Sequence, residues 1–412
     1  MPGSPPDSAK LLSVEQALAS LLADATPRSD TEMVPLTQAH GRITARPLLS
    51  DVDAPPAATS AMDGYAVNTQ DMTPESSRRM PISQRIAASE GAQPLRPGTA
   101  ARVFTGSPVP PGADAVVVQE ACLVEGDCLE VRGAVAPGQY IRAAGEDFRR
   151  GSVIVAAGTR LTPRQLGLAA AAGCVEIAVS RPPRVAVLAT GNELVQPGDS
   201  LPPGKIFNSN QFIITALLQR IGCPVTPFGI IPDTPAATRT ALLEAASAAD
   251  MVISTGGASV GEEDHTKTAL RAVGRLHLWR VAMRPGRPLI FGHVDAVPFF
   301  GLPGNPVSAF VTFCLFVRPY ILRLMGVSEV APRSLRLPAA FSWTEPSDRR
   351  QYLRARLIRD GDGTSTVECF SNQSSGVLTS LAWADGLAVI PEGQRLRAGQ
   401  PVEFIPFSEL MD

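Results

Sequence analysis

Four short segments of this 412-residue chain carry residue types that bind charged oxygen groups. The first is STGGASVGEEDHTK, residues 254–267. Gly256 and Gly257 follow an apolar run directly, and glycines there let a ligand approach backbone N–H groups. Glu262, Glu263 and Asp264 place carboxylates beside that anion-friendly loop. An oxygen-ligated divalent ion facing a phosphate would reconcile the two, although acids at a helix N-terminus are also ordinary. The second segment is GLPGNPVSAF, residues 301–310. Gly304 and Asn305 offer backbone donors to an anion, Asn305 can cap the helix that Pro306 opens, and Ser308 adds a hydroxyl. In the third, VAMRPGRPLIFG (281–292), Arg284 and Arg287 flank a Pro-Gly turn. Paired guanidiniums on a rigid turn suit phosphate or another oxyanion, and arginines on a solvated hairpin need no ligand at all. The fourth, ATGNELVQPGD (189–199), sets Glu193 just past an apolar run, and Asp233 has the corresponding place after Ile231. Asp63, Thr105, Glu120 and Asp147 in the N-terminal half read, on their own, as turn residues.

Other chemistries lack their residues. The four histidines, His40, His265, His277 and His293, form no HxH or HExxH pair, and no Ser-His-Asp or Cys-His triad is visible. The 254–267 loop matches neither GxxxxGK[ST] nor GxGxxG. The six cysteines show no CxxC spacing, so reduced and mostly buried thiols of a cytoplasmic protein are expected, and any metal should be a hard cation on carboxylates. Lys+Arg 37 against Asp+Glu 39 gives a net charge of −2, which argues against a nucleic-acid partner. No uninterrupted run of about 18 apolar residues occurs, and the first residues lack a basic-then-apolar leader, so neither a membrane span nor a secretory signal is expected.

The elements that must position these segments follow from periodicity. Apolar residues are 44% of the chain, enough for proper cores, and Gly 35 with Pro 38 implies many turns and several small modules. Ser13 followed by Gln16 is a capping box opening a helix, and Thr162-Pro163 opens another that closes at Gly173. Between them, residues 50–145 hold short apolar runs split by PVPPGAD, VEGD and VAPGQ, the pattern of a β-rich module inserted into a discontinuous helical domain. Residues 183–325 alternate strands (184–190, 225–231, 251–255) with helices (209–222, one that Asp233 can cap running to about 248, 266–273, from Pro306 to about 324). That spacing predicts an α/β domain with a mostly parallel sheet and a ligand crevice at the strand ends Thr190, Ile231, Thr255 and Leu302. Residues 330–412 read as a compact β-barrel or sandwich.

Eight motifs in order carry a resemblance that covers nearly the whole chain: SAMDGYAV (60–67), TGSPVPPGADAVVVQE (105–120), RAAGEDFRRG (142–151), TGNEL (190–194), GKIFNSN (204–210), TGGASVGEED (255–264), AMRPGRP (282–288) and GLPGNPVSAF (301–310). The chain resembles the MoeA-type molybdopterin molybdenumtransferases, relatives of the E domain of gephyrin and of the plant Cnx proteins. The resemblance implies multidomain α+β and α/β subunits: residues 10–50 plus 145–182 as a discontinuous helical domain, 51–144 as the inserted β-rich domain, 183–328 as a MogA-like α/β domain and 329–412 as a C-terminal β-barrel. It also implies a homodimer in which the α/β region of one protomer faces the inserted domain of the other. The implied reaction inserts molybdate into adenylylated molybdopterin with release of AMP, assisted by Mg²⁺. The implied protein partners are the molybdopterin adenylyltransferase and maturation factors of molybdoenzymes. Carried over by motif, Asp63, Thr105, Asp147 and Glu193 are catalytic, and Glu193, Asp233 and Asp264 hold the metal. Gly256, Gly257, Ser259, Gly261, Arg284, Arg287, Ser374 and Ser375 bind the pterin substrate, and Pro303, Gly304, Asn305, Pro306 and Ser308 form the anion loop. Four positions depart from the family pattern: Arg284 and Arg287 stand where lysines are usual, Asn208 replaces a frequent aspartate, and Thr255 replaces a serine. A gephyrin-like scaffold and a nucleotide pyrophosphatase or adenylyltransferase on the same α/β domain are the competing readings, and tungstate rivals molybdate as the oxyanion.

Overall fold

The computed structural model describes residues 11–72, 79–89, 91–256, 265–359, 361, 363 and 365–411, apart from the side chains of residues 278 and 279. Contacts divide the chain into two compact units, one of Met33–His40 and Arg46–Val179, the other of the residues through Glu32, Gly41–Ala45 and Ser180–Asp412.

The first unit is built on a six-stranded sheet in the order Ala115–Val118, Gly64–Val67, Ala100–Val103, Arg79–Ile86, Cys128–Val131, Cys122–Glu125. Gly64 is obligatory in the MDGYAV strand: it pairs with Val118, and a Cβ there would lie 1.9 Å from the adjacent Val117 carbonyl oxygen. The glycine therefore lets the strand sit flush against its neighbour directly beside Asp63. A second small core in this unit gathers Val155, Leu161, Ala169 and Ile177 around the helix Pro163–Ala171, with Thr162 as its N-cap.

The second unit contains the expected α/β domain. Its sheet runs Val225–Ile231, Val185–Thr190, Met251–Thr255, Val297–Leu302, Pro288–Val294, Gly274–Arg280. Only Pro288–Val294 runs against the other five. All six residues of Val185–Thr190 are buried, because helices cover both faces. Val185 and Val187 point into a core shared with Ile214, Leu217 and the long helix after Pro306. Ala186 and Leu188 point the other way, onto Leu242, Ala245 and Leu270. The period-two alternation thus sorts one strand's side chains between two helical layers.

The helix Val14–Asp24 has its capping box: Gln16 N donates to Ser13 Oγ at 3.1 Å and Ser13 N donates to Gln16 Oε1 at 3.0 Å. Its buried face, Val14, Ala17 and Leu21, belongs to the α/β core. The sequence grouped this helix with residues 145–182; its apolar stripe packs against the α/β domain. The helix Pro306–Leu324 is long and apolar enough to cross a membrane by length and composition, but 94% of its apolar stretch is buried in protein, as befits a core helix. It widens to a π-helical turn over Phe313–Val317 just before Pro319, whose missing N–H breaks the regular ladder.

The C-terminal strands form a barrel. Ser365–Cys369, Arg350–Arg359, Gly386–Ile390, Pro401–Pro406 and Leu335–Pro338 pair in turn. A bridge between Ala339 and Val367 then joins the last to the first. A core of Leu353, Val367, Ala388 and Phe404 fills the interior.

Candidate functional site

The register of the α/β sheet brings the predicted strand ends level. Thr190 pairs with Ile231, Ala189 with Thr255, and Thr255 with Leu302. The segments after them, holding Glu193, Asp233, Gly256 and Pro303 to Asn305, therefore leave the sheet along one edge. At that edge Gly256 N donates to the Leu302 carbonyl at 3.1 Å, and Asn210 Nδ2 donates to the Gly304 carbonyl at 2.7 Å. Among the described residues, the buried Thr190 Oγ1, Thr255 Oγ1 and Asn210 Oδ1 have no hydrogen-bond partner. Buried polar atoms left without a protein partner are what a polar ligand would satisfy. Gly257, Ser259, Gly261 and Asp264 lie outside the described residues.

Gly256 has φ +87°, and a Cβ there would stand 2.2 Å from the Thr190 carbonyl oxygen. Both the backbone conformation and the neighbouring strand exclude a side chain. Gly256→Ala is therefore expected to lower unfolding stability by about 2–4 kcal/mol. An unchanged midpoint in thermal or denaturant unfolding would contradict this.

Two capping assignments need correction. Asp233 does not cap the following helix: Thr234 does, accepting from Ala237 N at 3.3 Å. Proline at the next position fixes the helix start there, and Asp233 is left one residue outside it. The Asn305 side chain likewise makes no cap bond; its Nδ2 donates to Ser375 Oγ at 3.1 Å. The Val307 N–H, which an anion could have used, donates to the Ser375 carbonyl at 3.1 Å. The departure at Asn208 has a structural role, since this buried side chain accepts from Gln211 N at 3.3 Å and donates to Gln211 Oε1 at 3.1 Å. Lys205 and Asn192, absent from the sequence candidates, brace the Glu193 loop. Lys205 Nζ donates to the Asn192 carbonyl, and Asp233 N donates to Asn192 Oδ1 at 3.5 Å.

The carboxylates Glu193 and Asp233 follow adjacent strands, and their oxygen donors suit a hard divalent cation. Among the described residues no three His, Cys, Asp or Glu side chains converge as a ligand set.

A second site in the same unit brings two of the four segments together with Ser374 and Ser375. A pocket of about 470 Å³ is lined by Arg284, Arg287, Ser308, Arg349, Ser374 and Ser375, together with Met283, Pro285, Gly286, Asn372 and Gln373. Met283–Arg284 pairs in parallel with Arg350–Gln351, so the Arg-Pro-Gly-Arg turn docks on the C-terminal barrel instead of standing free as a hairpin tip. Ser308 arrives from the first turn of the core helix and is 5% exposed. Three guanidiniums and three hydroxyls around one small opening form a donor-rich lining for an oxyanion. Arg349 was not among the sequence candidates. Its signal is faint: an arginine pair at a strand start looks like any exposed barrel edge.

In the other unit, strand pairing links the loops that carry the acids. Thr59–Ser60 pairs with Ile141–Arg142, and Ser60 N donates to the Ser107 carbonyl at 2.9 Å. This ties the Asp63, Thr105 and Asp147 loops together. Asp63 Oδ1 accepts from Thr105 N at 2.7 Å and from Thr105 Oγ1 at 2.8 Å. These two donors, first the amide and then the hydroxyl, hold the exposed Asp63 carboxyl below its ordinary range, helped by Arg102. Arg102 is itself positioned between the Tyr65 and Phe104 rings, 5.0 and 4.9 Å from their centroids, a support the sequence did not reveal. Asp147 lines a cavity of about 540 Å³ with Thr59, Arg142, Glu146, Ala54 and Pro55. Because a donor to the ionised carboxylate favours ionisation, Thr105→Val should raise the Asp63 titration midpoint towards the ordinary carboxylate value. A carboxyl-carbon NMR titration checks it; an unmoved midpoint would show that the amide alone sets the ionisation.

These features describe an α/β and β-barrel protein whose polar pockets suit anionic small molecules. Three families match along the chain: the MoeA N-terminal region (domain I and II) over residues 12–173, the probable molybdopterin binding domain over 186–323 and the MoeA C-terminal region (domain IV) over 336–407. The molybdopterin molybdenumtransferase of Haemophilus influenzae is 34% identical over 97% of this chain and 100% of its own length. Molybdopterin molybdenumtransferase 2 of Mycobacterium tuberculosis is 37% identical over 87% of this chain and 90% of its own. The crystal structure of the molybdopterin biosynthesis MoeA protein of Pyrococcus horikoshii OT3 superposes with a TM-score of 0.83 at 28% identity, covering 96% of this chain and 100% of that one. The chain belongs to the MoeA family of molybdopterin molybdenumtransferases, a family of enzymes.

Proposed function

We propose that this protein inserts molybdate into adenylylated molybdopterin, releasing AMP and forming molybdenum cofactor. The observation that carries the proposal is the pocket of Arg284, Arg287, Arg349, Ser308, Ser374 and Ser375 in a family whose members are named for molybdenum transfer. The guanidinium forks and hydroxyls hold the oxyanion where it can meet the dithiolene sulfurs. The strand edge at Thr190, Thr255, Gly256 and Asn210 receives the pterin nucleotide, with Gly257, Ser259 and Gly261 completing the loop. Glu193 and Asp233, with Asp264, hold Mg²⁺, which when bound supplies positive charge to the phosphoryl oxygens. Asp63, kept ionised by Thr105, serves as the carboxylate that orients water or accepts a proton, and Asp147 lines a cavity of the same unit. The same reading includes the four-domain division of the chain, a homodimer in the cytoplasm, and hand-over to and from the adenylyltransferase and molybdoenzyme maturation factors.

The test is insertion in vitro. Purified protein is mixed with adenylylated molybdopterin, Mg²⁺ and molybdate, and AMP release and activation of a cofactor-free molybdoenzyme are followed together. Both signals, dependent on molybdate, are expected. AMP release without activation would reduce the activity to that of a nucleotide pyrophosphatase. Neither signal from folded protein would favour a scaffold. Replacing molybdate by tungstate reads the oxyanion preference.

A further inference from the structure

Arg354 is a buried cation, 1% exposed, in the strand Arg350–Arg359. Among the described residues no carboxylate pairs with it; its partners are neutral. Nε donates to Ser380 Oγ at 3.1 Å, and Nη2 donates to the carbonyls of Ser374 at 3.2 Å and Asn372 at 3.5 Å. Ser380 Oγ donates in turn to the Val377 carbonyl at 2.6 Å. The backbone of Arg354 grips the same segment: its N–H donates to Gln373 Oε1 at 2.9 Å, and its carbonyl accepts from Gln373 Nε2 at 3.0 Å and Phe370 N at 3.0 Å.

Burying a cation without a counter-charge is costly, and a packed apolar residue would fill the same space at lower cost. The acceptors explain its presence. Asn372, Gln373, Ser374 and Ser375 form one wall of the arginine pocket, and Ser375 also holds the start of the Ser308 helix through Val307 N and Asn305 Nδ2. Burial pushes the guanidinium down to about 10, opposed by the Cys369 thiol and reinforced by Arg284, so it stays protonated at neutral pH. Its charge is uncompensated beneath a pocket lined by three further arginines.

We propose that Arg354 is a positioning residue for the oxyanion pocket: its guanidinium clamps the Asn372–Ser375 turn in place as a pocket wall, and its unpaired charge adds to the attraction for the anion. The inference rests on the oxyanion reading of that pocket. The experiment measures molybdate binding to the full-length protein by calorimetry, and initial insertion rates against molybdate and against adenylylated molybdopterin. The proteins are wild type, Arg354→Gln, Arg354→Lys and Ser380→Ala, each checked by thermal unfolding.

Arg354→Gln should raise the molybdate KM and Kd about tenfold, with kcat at saturating molybdate and the KM for the pterin substrate kept within about twofold. Arg354→Lys keeps the charge but not the planar fork, and should recover about half of that loss on a logarithmic scale. Ser380→Ala removes one anchor far from the anion and should raise the molybdate KM about twofold to threefold. Wild-type molybdate KM in Arg354→Gln, or a loss confined to kcat, overturns the proposal. Should Arg354→Gln fail to fold, a wild-type molybdate KM in both Arg354→Lys and Ser380→Ala overturns it instead. Wild-type protein that binds no molybdate refutes the pocket reading itself, an outcome distinct from failure of the clamp.

Discussion

Asp63→Ala is expected to abolish molybdenum insertion while leaving the fold intact, with a rate loss of about 10²–10⁴-fold. The fold should survive because Asp63 is exposed and its carboxylate bonds go to a single residue of a neighbouring loop, the amide and hydroxyl of Thr105. The neighbouring strand is held independently by Gly64, Tyr65 and Ala66 pairing to both sides. A carboxylate that accepts two hydrogen bonds yet remains open to solvent is ready to act, because it stays ionised at working pH. Asp63→Asn separates the possible reasons for loss. It keeps an oxygen that Thr105 can reach but removes the charge. Activity as low as that of the alanine variant would assign the role to the carboxylate's charge or basicity; near-normal activity would reduce Asp63 to a turn residue. Insertion at the full rate by Asp63→Ala, measured in the coupled assay, would refute the assignment outright.

The second large effect is expected from the double variant Arg284→Ala, Arg287→Ala. Both side chains are exposed at the pocket rim and stand on a turn anchored by pairing to the barrel, so their removal should not unfold the protein. Each charge-assisted hydrogen bond contributes about 1.5–3 kcal/mol, so the molybdate KM should rise at least about 100-fold when both are lost. Lysine at both positions, the residue usual in the resembling family, keeps the charges but not the bidentate geometry. It should leave kcat nearly unchanged and shift the molybdate KM by less than about tenfold. A double alanine variant with the wild-type molybdate KM would move the oxyanion site elsewhere and remove the main support for the proposed reaction.

Much of the α/β domain was legible because its signals are local. The continuous apolar run 184–190 means a strand covered on both faces, and Val185–Thr190 is buried throughout. Capping is also local, and the Ser13–Gln16 box forms as its spacing required. Where a cap was misplaced, the competition was between adjacent residues. Asp233 and Thr234 both offer oxygens before Pro235, and helix phase chose the threonine. The family resemblance rested on ordered motifs, each a backbone requirement or a polar side chain at a loop, which is why it reached across nearly the whole chain.

The pockets were harder to read. From the residues alone, Arg284 and Arg287 could have been a solvated turn, and no periodicity relates them to Ser374 or Arg349, which lie 62 or more residues away. Pairing of Met283–Arg284 with the barrel strand decides that they share a cavity. Burial of the Val14–Asp24 helix in the α/β core was equally invisible, since its stripe shows that it must be covered but not by what. The same limit applies to Arg354: in sequence it is one more arginine on an alternating strand, and only its burial under the Asn372–Ser375 turn makes it a clamp. The amino-acid sequence by itself determined most elements and the family, because those depend on neighbours a few residues apart. Tertiary structure decided which side chains share a pocket and which cation stays buried, because those depend on surfaces that meet only after the strands have paired.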